Sequence, residues 1–237
     1  EGVGERILLR GQIDRVDEYR GPVRHYAAVI DYKSGGTTVR ADEIYYGLKL
    51  QLMTYLLALD KNTEDSIGTA AAVYTYVQNP QIKLGEVVNH RQAELEKEGS
   101  QVLKNSGYFV DGDVLQSMDM TRGYQSNSPY VPIVAKKDGT PDSRSSKHLK
   151  TMEQFSLMKE YTKQIISTSG TQMMAGHFPV SPYQKDKLRP CQYCEYQALC
   201  RFESGQKQYR YIRTMTEEEA LEKMEEVRTG GATYEMD

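Results

Sequence analysis

Two short stretches carry side chains suited to hydrolytic chemistry: Gly11-Gln12-Ile13-Asp14-Arg15-Val16-Asp17 and Ile30-Asp31-Tyr32-Lys33-Ser34-Gly35. A phosphodiester resists attack because its own oxygens repel an incoming hydroxide. A hard divalent cation such as Mg2+, gripped by Asp14 and Asp31, would neutralise that charge and lower the pKa of a bound water. An ammonium at Lys33 would then orient the water or stabilise the pentavalent transition state. On its own D-x-K is a short pattern met by chance in most chains of this size, and charges on a strand usually mark a solvated face. Context sets this one apart, because Asp31 follows the apolar run Ala27-Ala28-Val29-Ile30, where a carboxylate is costly to bury without a partner or a metal.

These groups can act together only if the local structure gathers them. The runs ILLRGQIDRVDEY, between Arg6 and Tyr19, and RHYAAVIDY, from Arg24 to Tyr32, flank Gly21-Pro22 and predict a β-hairpin. A hairpin centred on Gly21-Pro22 sets Asp14 opposite Val29 and diagonal to Asp31 on the same face, at ~7–8 Å, a gap that one or two bound cations can bridge. Period-two alternation puts Lys33 on that face too. Asp17 has the wrong parity and is expected to pair with Arg15.

After Gly35-Gly36, apolar residues at Ile44, Leu48, Leu52, Leu56 and Leu59 predict one amphipathic helix over Asp42–Leu59. Gln51 and Tyr55, four apart, project from one face of it, and an amide on an apolar stripe needs a hydrogen-bond partner. The plainer reading of Gln51 is satisfaction by backbone at the sheet edge. Thr69–Val77 (TAAAVYTYV) reads as a further core strand, and Arg91–Asn105 as a helix stopped by Gly107. Ser126–Lys147 collects Ser, Pro, Gly, Asp and Lys and is expected to be a mobile excursion. Lys150–Met174 resumes a helical rhythm ending near Gly176. Thr216 with Glu219 forms a capping box for a closing helix through Val227, stopped by Gly230-Gly231. Strands mixed with helices in this order argue for one α/β core with a helical C-terminal extension.

The composition limits the alternatives. With 237 residues, 30 Lys+Arg and 33 Asp+Glu, the net charge of −3 excludes a coat that binds nucleic acid by bulk charge, so any such site is a local patch. Lys185, Lys187 and Arg189, and separately Lys136, Lys137, Arg144, Lys147 and Lys150, are candidate phosphate contacts, although most such clusters are merely solvated surface. The 18 tyrosines allow stacking on single-stranded bases without singling out a ring. Mean hydropathy is −0.66 and no apolar run approaches the length of a membrane span. The chain opens at Glu1 without an initiator Met, and a segment of a longer cytoplasmic protein is the expectation.

The only three cysteines, Cys191, Cys194 and Cys200, lie within ten residues in the pattern C-x2-C-x5-C. An odd count cannot close a disulfide framework, and a reduced metal site is the natural reading. Three thiolates so spaced can hold one corner of a tetrahedral or cubane site. A zinc site would need His177 as its fourth ligand, whereas an iron–sulfur cluster would draw its fourth from outside the chain. Tyr193, Tyr196 and Phe202 suit a compact knuckle packed on the domain. The four histidines, His25, His90, His148 and His177, all follow the first acidic motif and are left unassigned.

Taken as a set, G-Q-I-D-R-V-D, I-D-Y-K-S-G and Q-L-M-T-Y followed by C-x2-C-x5-C resemble the PD-(D/E)xK nuclease superfamily, and within it the nuclease domain of AddB (RexB)-type subunits of bacterial ATP-dependent helicase/nucleases. The likeness runs from Gly11 to Phe202. It implies a restriction-endonuclease-like α/β core, a central mixed sheet flanked by helices, with a helical, cysteine-containing C-terminal extension. The implied divisions are 1–120 for the nuclease core, 121–147 for the excursion, 148–212 for a helix plus cysteine knuckle, and 213–237 for the C-terminal helix and tail.

The same likeness makes Asp14 and Asp31 metal-binding acids, the Tyr32 carbonyl an additional metal ligand, and Lys33 the catalytic lysine. Gln51 and Tyr55 match the QxxxY motif near the active site and DNA. Cys191, Cys194 and Cys200 match three of four ligands to a 4Fe-4S cluster whose fourth cysteine lies several hundred residues upstream in the family and is absent here. The implied activity is that of a Mg2+-dependent DNA exonuclease domain acting on a single strand from unwound duplex, in double-strand-break end resection and recombinational repair. Its partner would be an AddA helicase/nuclease subunit. No Walker A pattern is present, so ATP hydrolysis would belong to other regions or to that partner. The alternatives are a CRISPR-associated iron–sulfur exonuclease and a non-catalytic nuclease-fold DNA-binding module.

Overall fold

The computed structural model describes residues 7–21, 24–62, 67–77, 105–110, 114, 131–134, 136, 141–143, 145–202 and 209–230. β1 (Arg15–Arg20) and β2 (His25–Lys33) form the expected antiparallel hairpin, closed where the Gly21 N–H donates to the Arg24 carbonyl at 3.1 Å. Residues 7–13, anticipated as part of the first strand, have no regular structure. The pairing sets Arg15 opposite Ile30 and Val16 opposite Val29, so the turn is centred one residue beyond Gly21-Pro22 and the register differs by two from the expected one. A slip of two leaves every side chain on its face, whereas a slip of one would have inverted them all.

β2 continues parallel to β3 (Gly68–Tyr76), β3 antiparallel to β4 (Ser106–Val110), and β4 parallel to the short β5 (Leu149–Lys150), giving a mixed sheet in the order β1-β2-β3-β4-β5. β2 and β3 lie inside the sheet, and their consecutive buried residues, Ala27 to Asp31 and Gly68 to Tyr74, reflect cover on both faces.

One face packs against helices. These are α1 (Ala41–Tyr45), α2 (Gln51–Asn62), α3 (Met152–Met174) and α5 (Glu217–Arg228), the fourth helix, α4 (Gln197–Cys200), lying in the cysteine segment. Ile44, Leu52, Met53, Leu56, Phe155, Met158 and Met224 meet Val29, Ala72, Tyr108 and Val110 there. The helix expected over Asp42–Leu59 is therefore two. Gly47 adopts φ 73°, and the Leu48 N–H turns back to the Glu43 carbonyl at 2.8 Å, which ends α1 and lets α2 begin at Gln51. α3 and α5 start where expected, each with a complete capping box, Thr151 with Gln154 and Thr216 with Glu219. Gly176 and Gly230, at φ 72° and 78°, follow their C-terminal ends.

The opposite face buries Ala28, Ile30, Val73 and Phe109 under Val131 and Ile133. That pair comes from the stretch anticipated as a mobile excursion. Its apolar residues, spaced by two, are instead core cover, held where the Val134 N–H donates to Ser145 Oγ at 2.9 Å. Gly107 is likewise not a helix stop but an interior residue of β4, while 91–104 of the helix it was to end lie outside the described residues. A Cβ on Gly107 would sit 2.2 Å from the Ala72 carbonyl oxygen of the paired strand. Gly107→Ala is therefore expected to part β3 from β4 and cost about 2–4 kcal/mol, read as a fall in the urea midpoint with an unchanged slope.

The C-terminal segment is fastened by buried charge. β6 (Tyr183–Lys185) and β7 (Arg210–Ile212) form a two-stranded parallel ribbon. From it Lys185 reaches Asp42 of α1 at 3.1 Å and Glu43 at 3.7 Å. Asp42, whose side chain has no exposure, also accepts two bonds from Arg40 at 2.9 and 3.1 Å and one from the Met215 N–H at 3.3 Å. Beside it Glu217 accepts from the Tyr108 hydroxyl at 2.6 Å and pairs with Lys150 at 3.3 Å, the ammonium of which lies 4.3 Å over the Tyr108 ring. Lys185 and Lys150, expected as phosphate contacts, are instead buried and already neutralised by these acids, which leaves neither ammonium free for DNA.

Candidate active site

Burial of Asp31 is the first fact of the site. It is 3% exposed on a strand inside the sheet, and Val29, Asp31 and Lys33 share the helix-covered face. Because α2 starts at Gln51, that side chain stands at the helix entrance directly over them, with Tyr55 one turn on. Gln51 Nε2 donates to Asp31 Oδ1 at 3.0 Å and to the Tyr55 hydroxyl at 2.9 Å, while Gln51 Oε1 accepts from Lys33 Nζ at 2.9 Å. The Gln51 partners are thus site side chains and not backbone at the sheet edge. The amide uses its donor end toward acceptors and its acceptor end toward the ammonium, the only orientation that satisfies both.

Lys33 Nζ also makes an ion pair with Asp31 Oδ2. That contact is not aligned as a hydrogen bond, and Asp31 Oδ2 remains a buried oxygen without a hydrogen-bond donor. Lys33 lies 5.1 Å from the centroid of the Tyr74 ring on β3, where Tyr74 is the strand partner of Asp31. Tyr74 is a residue that sequence reading missed, although parity along β3 was enough to put it on this face.

Asp14 sits one residue before β1 and is exposed. Its Oδ2 accepts from the Tyr32 N–H at 2.9 Å, standing in for a ladder carbonyl just past the end of the strand. In a strand a residue's N–H and C=O leave on the same edge, so the Tyr32 carbonyl is directed to the Asp14 side. The Tyr32 ring points to the other face of the sheet, 40% exposed. Asp17 pairs with Arg15 as expected, at 2.6 and 2.8 Å, which holds the guanidinium pKa above its ordinary value.

The structure thus brings Asp31, Lys33, Gln51 and Tyr55 into one bonded group and sets Asp14 beside it through the Tyr32 amide. Asp31 Oδ2 without a donor, the outward Asp14 carboxylate and the Tyr32 carbonyl are all hard oxygen donors, a set suited to Mg2+ or Mn2+ and not to a thiophilic metal. Among the described residues no three His, Cys, Asp or Glu side chains are gathered as ligands, so a cation here would rest on two carboxylates and backbone oxygen.

The cysteines are not gathered either. All three thiols are free, Cys191 half-buried on a 3-10 turn (Pro190–Tyr193), Cys194 exposed just after it and Cys200 exposed at the end of α4. As folded they do not form a three-thiolate cradle. The knuckle is anchored by Phe202, whose ring meets that of Tyr209 at 4.9 Å, whereas Tyr193 and Tyr196 face outward at 80% and 67% exposure and not onto the domain as expected.

Of the histidines, His148 is structural. Its Nδ1 lies 3.0 Å from the Gly107 carbonyl, and burial pushes its pKa below the ordinary value. His90 lies outside the described residues. Lys136, Lys147, Lys187 and Arg189 are exposed, while Lys137 and Arg144 lie outside the described residues.

A five-stranded mixed sheet flanked by helices, with an aspartate and a lysine two apart on an inner strand and a second aspartate at the neighbouring strand's end, is the restriction-endonuclease-like arrangement. Residues 1–201 match the family model of the PD-(D/E)XK nuclease superfamily, and the chain belongs to that superfamily. It is 34% identical over 210 residues to the B-type subunit of the ATP-dependent helicase/deoxyribonuclease of Ruminiclostridium cellulolyticum, an alignment covering 86% of this chain and 18% of the relative. The subunits of the same description from Clostridium tetani and Clostridioides difficile are 33% and 32% identical over 92% and 93% of this chain, covering 19% and 20% of the relatives. The chain thus spans about a fifth of the length of the curated relatives it matches.

Proposed function

We propose that this chain is a Mg2+-dependent deoxyribonuclease domain, the nuclease portion of an AddB-type helicase/nuclease subunit. The observation that carries the reading is the Asp31–Lys33–Gln51 group, in which a buried carboxylate keeps one oxygen without a donor beside an ammonium. When bound, Mg2+ supplies charge neutralisation at the scissile phosphate and a water of lowered pKa. Asp14, Asp31 and the Tyr32 carbonyl would hold it. Lys33 offers its ammonium to the charge that grows on the phosphate oxygens. Gln51 fixes both Asp31 and Lys33, so the two act as a pre-set pair and need not be ordered during the reaction. Tyr55 holds Gln51 in turn.

The relatives' names support a wider role: a DNA strand exposed by a helicase as substrate, an AddA-type subunit as partner, and duplex-end resection in the cytoplasm as setting. No helix among the described residues is long and apolar enough to cross a membrane. Likeness to those subunits over most of the chain favours this reading over a CRISPR-associated exonuclease. Ligation of a 4Fe-4S cluster by Cys191, Cys194 and Cys200 is supported by their spacing and their common knuckle, and would require the exposed thiols to be drawn together. No catalytic step depends on it.

The test is cleavage of end-labelled single-stranded DNA with Mg2+ and with EDTA, for wild type and Asp14→Asn. Asp14 is exposed and Asn keeps its shape, so the variant should fold normally and lose about 10²-fold or more in rate. Equal rates for the two proteins, or cleavage in EDTA, would sink the reading.

A further inference from the structure

Lys33 is held by more than its two oxygen partners. Asp31 Oδ2 and Gln51 Oε1 take the ammonium from one side, and the Tyr74 ring lies against it with the centroid 5.1 Å away. Tyr74 is 6% exposed, is paired in register with Asp31 across β2 and β3, and belongs to the helix-side core. Its ring is therefore fixed by packing and cannot leave when Lys33 moves. By contrast the Lys33 side chain is 33% exposed, so an alternative position in solvent is open to it.

We infer that Tyr74 is a positioning residue for Lys33: its buried ring face keeps the ammonium over Asp31 and Gln51 and out of bulk water. This rests on the nuclease reading for its catalytic consequence, but not for its geometric content. A ring face suits the task because it attracts a cation without offering an oxygen that would compete with Asp31 for a metal ion. The phenol itself stays neutral over the working range, since burial, and then the Asp31 charge, push its pKa up to about 12. The hydroxyl is thus dispensable and the ring is not.

Two variants separate ring from hydroxyl. Tyr74→Phe should keep kcat for single-stranded DNA within about twofold of wild type, whereas Tyr74→Leu should lower kcat about tenfold with KM unchanged. In a Lys33→Met background the Leu substitution should have no further effect, because the cation it positions is gone. A loss in Tyr74→Phe equal to that in Tyr74→Leu, or a Leu penalty that persists in Lys33→Met, overturns the inference. If Tyr74→Leu does not fold, Tyr74→Met carries the same comparison.

A second readout needs no catalysis. Under limiting reductive methylation of the metal-free protein, followed by peptide mass spectrometry, Lys33 should label several-fold faster in the Leu or Met variant than in wild type or Tyr74→Phe. Lys159, paired with Asp60 at 2.7 Å, serves as the internal standard. Equal Lys33 labelling in all proteins refutes the positioning role whether or not the chain cuts DNA. Enhanced labelling with a wild type that fails to cut refutes the nuclease reading alone.

Discussion

Asp31→Asn should abolish most metal-dependent cleavage, by about 10³-fold in kcat, while leaving the metal-free protein as stable as wild type or slightly more so. The two halves of this expectation have one cause. Asp31 is buried at 3% exposure with Oδ2 lacking an aligned donor, an arrangement poor for stability in the metal-free state and suited to receiving a cation. Asn has the same shape, keeps an oxygen for Gln51 Nε2, and releases Lys33 toward solvent. A bound ion stabilises wild type by RT ln(1 + [Mg2+]/Kd), so thermal unfolding of wild type should rise with Mg2+ and that of the variant should not. Scanning both proteins in EDTA and in increasing Mg2+ checks this. A variant with the same Mg2+-dependent rise as wild type would show that Asp31 is not where the ion sits.

The largest stability loss is expected from Asp42→Asn, about 3–5 kcal/mol, the cost of leaving a buried cation uncompensated. Asp42 is the shared counter-ion of Arg40 and Lys185 and also takes the Met215 N–H, so three chain segments meet on one carboxylate. At about 2–4 °C per kcal/mol for a chain of this size, the melting temperature should fall by roughly 10 °C. Its pH dependence has a definite sign. Burial pushes the Asp42 carboxyl up, but the bonds from Arg40 and Lys185 outweigh it, and the folded pKa lies below the ordinary 3.8. The contribution is therefore complete above pH 3.8 and is lost as pH falls through the lower, folded pKa. The gap between wild type and variant should narrow over that acid range and be constant above it, which urea titrations at several pH values would show.

Features set by local chemistry are legible in the sequence. Parity along a strand puts Asp31 and Lys33 on one face, i,i+4 spacing puts Gln51 and Tyr55 together, and the Thr216–Glu219 box marks the start of α5. Non-local features are not. The apolar rhythm of Ile44, Leu48 and Leu52 runs on through the break at Gly47, so it reads as one helix where two exist. Lys150 and Lys185 read as basic surface because a sequence gives the sign of a charge but not the acid folded against it. Tyr74 lies in a strand buried on both faces, where nothing in its own neighbourhood marks the one ring that meets Lys33. The spacing of the cysteines is plain, yet whether three thiols converge depends on backbone far from any of them.

β1 is the outermost strand of the sheet, and its sequence Arg15-Val16-Asp17-Glu18-Tyr19-Arg20 alternates in a way that matters beyond this molecule. A bare strand margin invites another polypeptide to add itself and so to polymerise. Here a newcomer would have to lie alongside four formal charges of both signs in six positions, shedding their hydration with no matched partners of its own. The margin that leads to the reactive aspartates is thereby kept from self-association, and crowding such domains together should leave them separate.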